Sequence, residues 1–250
     1  MKQSMKKTSF VLESRNCTVY KREDPEYFLI RPVGRHEAEL QDQLTEALCA
    51  EIREPFLLAG FEVEDWNRDL SPWKEPPVFG PEGFGDGAPQ TLRFIREHLI
   101  PEITERYGLP QDIPVILGGY SLAGLFSLWS AYQTDTFTAV ASASPSVWFI
   151  GWIDYAKSHR FLGKYAYLSL GDKEGRTRNP VMAKVNECIR IQTELLSEND
   201  IVCKLEWNKG DHFRESGIRS AKAFAWCIRS ITGDTAGKAE GVSADLSGKL

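Results

Sequence analysis

The chain has 250 residues, 42% of them hydrophobic, which is enough to bury a sizeable core. Lys and Arg number 30 against 35 Asp and Glu, a net charge of −5 with no basic stripe, which argues against a nucleic-acid partner. No apolar run approaches the ~20 residues that span a bilayer, and no apolar stretch follows the N-terminal lysines to make a signal peptide.

The expected elements begin with an antiparallel hairpin of 9–12 and 18–21, with Asn16 as the turn former and residues 1–8 as a flexible N-terminus. A strand at 27–31 follows Asp24-Pro25, then a long polar helix from about 37 to 53. Residues 55–61 read as a buried strand without alternation, as expected where both faces are covered. Residues 66–87, rich in Pro, Gly and Asp, read as a loop that closes over something. An amphipathic helix is expected over 91–107, a strand at 113–117, a helix at 122–132 and a strand at 137–143. The alternation continues with a strand at 165–170, a helix at 180–197, a strand at 201–207 and a helix at 218–231. Alternation of this length implies an α/β fold with a mostly parallel central sheet and helices on both faces. Residues 9–232 read as a single domain. From 233 to 250 the composition falls to Gly, Ala, Ser and charges, a disordered tail. Five cysteines (Cys17, Cys49, Cys188, Cys203, Cys227) form no CxxC pair, so they read as reduced thiols of a cytoplasmic protein and not as a zinc site.

The chemistry concentrates in Gly118-Gly119-Tyr120-Ser121-Leu122-Ala123-Gly124, between a buried strand and an apolar helix. A strand-to-helix turn this sharp holds a serine in a strained conformation with its hydroxyl above the sheet. Its neighbours two residues away must be small, as Gly119 and Ala123 are; the usual pattern has Gly where Ala123 stands. The Leu122 amide at the helix N-terminus would face a developing oxyanion. A glycine-rich turn with a capping serine is the plainer alternative. A phosphate loop is excluded, because Leu125 and Phe126 stand where Lys and Ser or Thr are needed.

Ser121 as nucleophile needs a base. Among His36, His98, His159 and His212, the last lies in the loop after the strand 201–207, in the chain order Ser, acid, His. His98 and His159 read as surface residues, and His36 precedes the serine. The acid follows the strand 165–170, where Asp172 and Glu174 are both candidates; spacing alone does not choose between them. Trp66, Trp73 and Trp148 are candidates either for a pocket wall or for the core.

Ser121 and its flanks, together with Ala143-Ser144-Pro145-Ser146-Val147-Trp148 and Asn67-Arg68-Asp69-Leu70-Ser71-Pro72, resemble the putative-esterase family of the α/β-hydrolase superfamily. The likeness is to its siderophore and enterobactin esterase branch. The resemblance implies Ser121 as nucleophile and His212 as base. A GxxE pattern in Gly171-Asp172-Lys173-Glu174 implies Glu174 as the acid, although some members of the branch work with a Ser–His dyad. It also implies a second oxyanion donor near Gly34. The function expected is hydrolysis of a small-molecule carboxylic ester through an acyl-enzyme, with no metal or organic cofactor. An acyltransferase on the same site and a non-catalytic binding protein are the alternatives, and the oligomeric state is left open.

Overall fold

A computed structural model describes residues 5–35 and 38–233. Its strands are β1 (Lys6–Leu12), β2 (Arg15–Lys21), β3 (Tyr27–Val33), β4 (Phe56–Glu62), β5 (Val115–Tyr120), β6 (Ala139–Ala143), β7 (Tyr165–Gly171) and β8 (Val202–Asn208). They form one sheet in the order β1-β2-β4-β3-β5-β6-β7-β8. β2 runs antiparallel to β1 and β4, and the other neighbours are parallel. This is the α/β-hydrolase fold expected from the sequence.

Among the described residues eight α-helices connect and cover the strands: α1 (Ala38–Glu51), α2 (Trp66–Asp69), α3 (Ala88–Phe94), α4 (Ile100–Tyr107), α5 (Leu122–Gln133), α6 (Trp152–Ser158), α7 (Val185–Glu198) and α8 (Ser216–Thr232). Side chains of a strand alternate between its two faces, and β3 shows the consequence. Phe28 and Ile30 join a core with Leu92, Leu125, Trp152 and Ile189 from α3, α5, α6 and α7. Tyr27 and Leu29 join another with Leu44 and Leu48 of α1 and Phe224 of α8. Every residue of β3 is therefore buried, and each large apolar side chain there contributes about 1.5–3 kcal/mol.

Several elements differ from expectation for physical reasons. The first hairpin turns at Glu13 and Ser14, both with positive φ (45° and 66°), and not at Asn16, which lies in β2. Such a two-residue turn matches the twist of the strands it joins. Its register carries β1 back to Lys6, which pairs with Lys21, so residues 6–8 are strand and not a flexible end. The helix expected over 91–107 is broken by a π turn, Ile95–Leu99, in which the Ile100 amide donates to the Ile95 carbonyl. Pro101 has no amide to return to Glu97 and its ring crowds that carbonyl, so the helix widens one turn ahead of it. Helix α6 was not expected. The loop 66–87 holds α2, capped by the Asp65 side chain, and a bridge between Glu75 and Phe84. His36 and the tail 234–250 lie outside the described residues. Among the described residues no helix is long and apolar enough to cross a membrane.

Candidate active site

Parallel strands deliver their loops to one edge, and there Ser121 follows the last residue of β5. Its backbone is forced to φ 59° and ψ −121°, a region that L residues avoid. The surroundings hold it there. The Ser121 amide donates to the Ala143 carbonyl (3.1 Å), and its carbonyl accepts from the Leu125 and Ser146 amides (both 3.1 Å). The small flanks are a steric requirement: a Cβ on Gly119 would lie 2.6 Å from the Ala123 Cβ and 2.5 Å from its carbonyl carbon. Ala123 can replace the usual glycine because Gly119 supplies the space from the strand side.

His212 lies between β8 and α8, with its side chain 28% exposed. Its Nε2 stands 3.0 Å from Ser121 Oγ, and its Nδ1 stands 2.7 Å from Glu174 Oε2. Glu174 is turned inward just after β7, its side chain only 4% exposed. Its other oxygen, Oε1, accepts from the Gly171 amide (2.6 Å), the Ser144 hydroxyl (2.8 Å) and Arg219 Nη1 (3.0 Å). Asp172, the other acid candidate, points elsewhere. Its Oδ1 accepts from the Gly210 amide at 2.8 Å and so ties down the start of the His212 loop.

Leu122 is the first residue of α5 and is buried. An amide at that position has no acceptor within its own helix. Gly34 follows β3, beside β5 at the same edge of the sheet. Of the other histidines, the two that are described stand apart: His98 is exposed and faces Glu13, and His159 is exposed against Tyr155. The three candidate tryptophans make packing contacts. Trp73 donates to the Ile150 carbonyl and packs on Phe149 and Tyr155, Trp148 is buried against Phe79 and Phe84, and Trp66 leans on the core.

Four neighbours of the site had no role assigned from the sequence, although Tyr120, Ser144 and Ser146 lie within its motifs. Ser146 Oγ lies 3.3 Å from Ser121 Oγ. Ser144, with φ 44°, hydrogen-bonds Glu174. The Tyr120 hydroxyl donates to the His212 carbonyl at 2.6 Å; burial raises its phenol above the ordinary value, so it stays a donor into alkaline solution. Arg219 is buried in the first turn of α8. The available signal was an arginine four residues before Ala223 on the apolar face of a helix.

A cleft of about 1210 Å³, lined by Tyr20, Arg22, Asp42 and Cys49 among others, shares no residue with this site. It opens at the opposite edge of the sheet, where Lys21 of β2 pairs with Leu57 near the start of β4.

The sequence model of the family described as "Putative esterase" matches residues 36–193, well over half of the chain. The chain belongs to this family. The matched segment contains Ser121 and Glu174 and ends before His212. This esterase is a carboxylic ester hydrolase on the α/β-hydrolase fold. No curated protein matches it. Among solved structures it is similar to an IroE-like serine hydrolase from Shewanella oneidensis, with TM-score 0.69 and 17% identity over 92% of this chain and 81% of that one. It is also similar to the siderophore hydrolase EstA from Aspergillus nidulans, with TM-score 0.66 and 19% identity over 91% and 95%. The enterobactin esterase FES from Shigella flexneri gives TM-score 0.59 and 15% identity, over 89% of this chain and 59% of that one. At these identities the likeness is one of fold.

Proposed function

We propose that the esterase cleaves a small-molecule carboxylic ester through an acyl-enzyme on Ser121, with His212 as general base, Glu174 as the orienting acid and the Leu122 amide as an oxyanion donor. The observation that carries this is the unbroken line from Ser121 Oγ through the His212 ring to Glu174 Oε2, at 3.0 and 2.7 Å. Ser121 Oγ attacks the ester carbonyl carbon as its proton passes to His212 Nε2. Glu174 holds the other proton on Nδ1, which leaves Nε2 free to accept, and stabilises the imidazolium that forms. His212 then gives its proton to the departing alkoxide. A water attacks the acyl carbonyl in the second half, losing its proton to His212, and the acid is released as Ser121 is re-protonated.

The strained elbow at Ser121 supports the same reading, since such strain collects where a nucleophile must be displayed. All five cysteines are free thiols, which supports a reducing, cytoplasmic setting. Turnover of p-nitrophenyl acetate by the wild type and by Ser121→Ala tests the proposal. Loss of turnover of at least 10³-fold, with an unchanged circular dichroism spectrum, is expected. Retained turnover would overturn it. Added alcohol acceptors separate hydrolysis from acyl transfer, and free acid as the main product is expected.

A further inference from the structure

We propose that Arg219 is a positioning residue of the active site, which holds the acid, the base loop and the nucleophile strand in one arrangement through a single buried guanidinium. The proposal rests on Ser121, His212 and Glu174 acting as described above.

Arg219 reaches the site from α8, with its side chain 2% exposed. Its Nη1 lies 3.0 Å from Glu174 Oε1, 3.2 Å from the Tyr120 hydroxyl and 3.3 Å from the Ser144 hydroxyl. Its Nη2 donates to the Lys209 carbonyl at 3.3 Å, at the start of the His212 loop. One side chain therefore touches the residue before the nucleophile, the residue after β6, the acid and the base loop.

A guanidinium only donates, so it fixes the direction of every hydroxyl it meets. The Tyr120 hydroxyl accepts from Arg219 and must donate onward, which it does to the His212 carbonyl at 2.6 Å. The Ser144 hydroxyl accepts from Arg219 and donates to Glu174 Oε1 at 2.8 Å. With Arg219, Ser144 and the Gly171 amide all on Oε1, Oε2 is left for His212 alone.

The charge matters as well as the geometry. A carboxylate 4% exposed is costly without a partner, and the Arg219 cation offsets its desolvation. Room for the pair is made by Gly171, where a Cβ would lie 2.9 Å from Glu174 Oε1, 3.1 Å from Arg219 Nη1 and 2.4 Å from the Gly210 carbonyl oxygen.

The test is a double-mutant cycle between Arg219→Met and Glu174→Gln, read by kcat and KM on p-nitrophenyl acetate and by the rate of Ser121 labelling with a fluorophosphonate. In the wild-type background Arg219→Met is expected to lower kcat and the labelling rate by about 10²-fold, with KM within threefold. In the Glu174→Gln background the same change is expected to cost at least threefold less than in the wild type, because the part of its effect that runs through the acid is already lost while its hold on Tyr120 and the Lys209 carbonyl remains. Arg219→Lys, which keeps the charge, should recover at least tenfold of the loss. Equal losses in both backgrounds, or a loss seen mainly in KM, would overturn the proposal. Should Arg219→Met fail to fold, Arg219→Lys with and without Glu174→Gln gives the same comparison. If Ser121→Ala is still labelled, the reading of the site itself fails; if it is not labelled and the losses multiply, only the role of Arg219 fails.

Discussion

Replacing Glu174 by glutamine keeps the shape of the acid but cannot satisfy its surroundings. Oε1 faces three donors, from Gly171, Ser144 and Arg219, and Oε2 faces His212 Nδ1. The amide has one oxygen and one NH2 group. With its oxygen toward His212, the NH2 group meets the Gly171 amide and the guanidinium, and hydrogen bonds to charged groups worth about 1.5–3 kcal/mol each are lost. The reverse orientation is favoured, and it presents NH2 to His212 Nδ1. That nitrogen must then accept, the ring proton moves to Nε2, and Nε2 can no longer take the Ser121 proton. Glu174→Gln should therefore lower kcat/KM by about 10³–10⁴, the upper figure being that of the equivalent change in a serine protease. A loss of 10⁴ corresponds to about 5.4 kcal/mol. Asp172→Asn keeps an oxygen for the Gly210 amide and should cost less than about threefold. Initial rates on a p-nitrophenyl ester series decide the matter. A loss of less than tenfold in Glu174→Gln would refute the reasoning and leave a Ser–His dyad, and a crippled Asp172→Asn would reassign the acid.

Three further outcomes follow from particular contacts. Burial opposes the ionisation of Asp69, but the Arg68 hydrogen bond and the Asp65 amide outweigh it and hold the carboxyl below its ordinary value. A group depressed in the folded state stabilises above its unfolded value of ~3.9 and loses that contribution as pH falls. Asp69→Asn should then lower Tm at pH 7 by an amount worth about 1–2 kcal/mol, discounted because Arg68 is half exposed, and the gap to wild type should close below about pH 4. Gly119→Val places side-chain atoms against the Ala123 backbone and is expected to cost about 1–3 kcal/mol and most activity, whereas Ala123→Gly should cost about 1 kcal/mol in the helix and keep turnover, both read by thermal melts and initial rates. EDTA should leave turnover unchanged, as the proposed chemistry uses no metal ion; loss on chelation with recovery on adding zinc would contradict it.

The sheet was legible because β3, β4, β5 and β6 are mostly apolar, interrupted by Arg31, Glu62 and Ser142, and alternate with helix-length segments. The elbow was legible because a serine with a small residue two positions to either side, Gly119 and Ala123, stands where a buried strand gives way to an apolar helix. Turn chemistry was less so: Asn16 is the commoner turn former, but the register of β1 with β2 places the reversal at Glu13 and Ser14. The π turn was foreseeable from Pro101, whose effect falls several residues ahead of it. The spacing of Asp172 and Glu174 did not separate them, since the difference lies in which way each turns after β7. Arg219 is the residue that the pattern hid most completely, because its contacts with Glu174, Ser144 and Tyr120 join positions more than 40 residues apart in the chain.

The central claim is that Ser121 is a nucleophile activated by His212. Treatment of the intact protein with a fluorophosphonate, followed by peptide mass mapping, measures this directly. One adduct per chain on the peptide containing Ser121 is expected, absent in Ser121→Ala and formed at least 10²-fold more slowly in His212→Asn. An adduct on another residue, or labelling of Ser121 at an unchanged rate without the imidazole, would contradict the account.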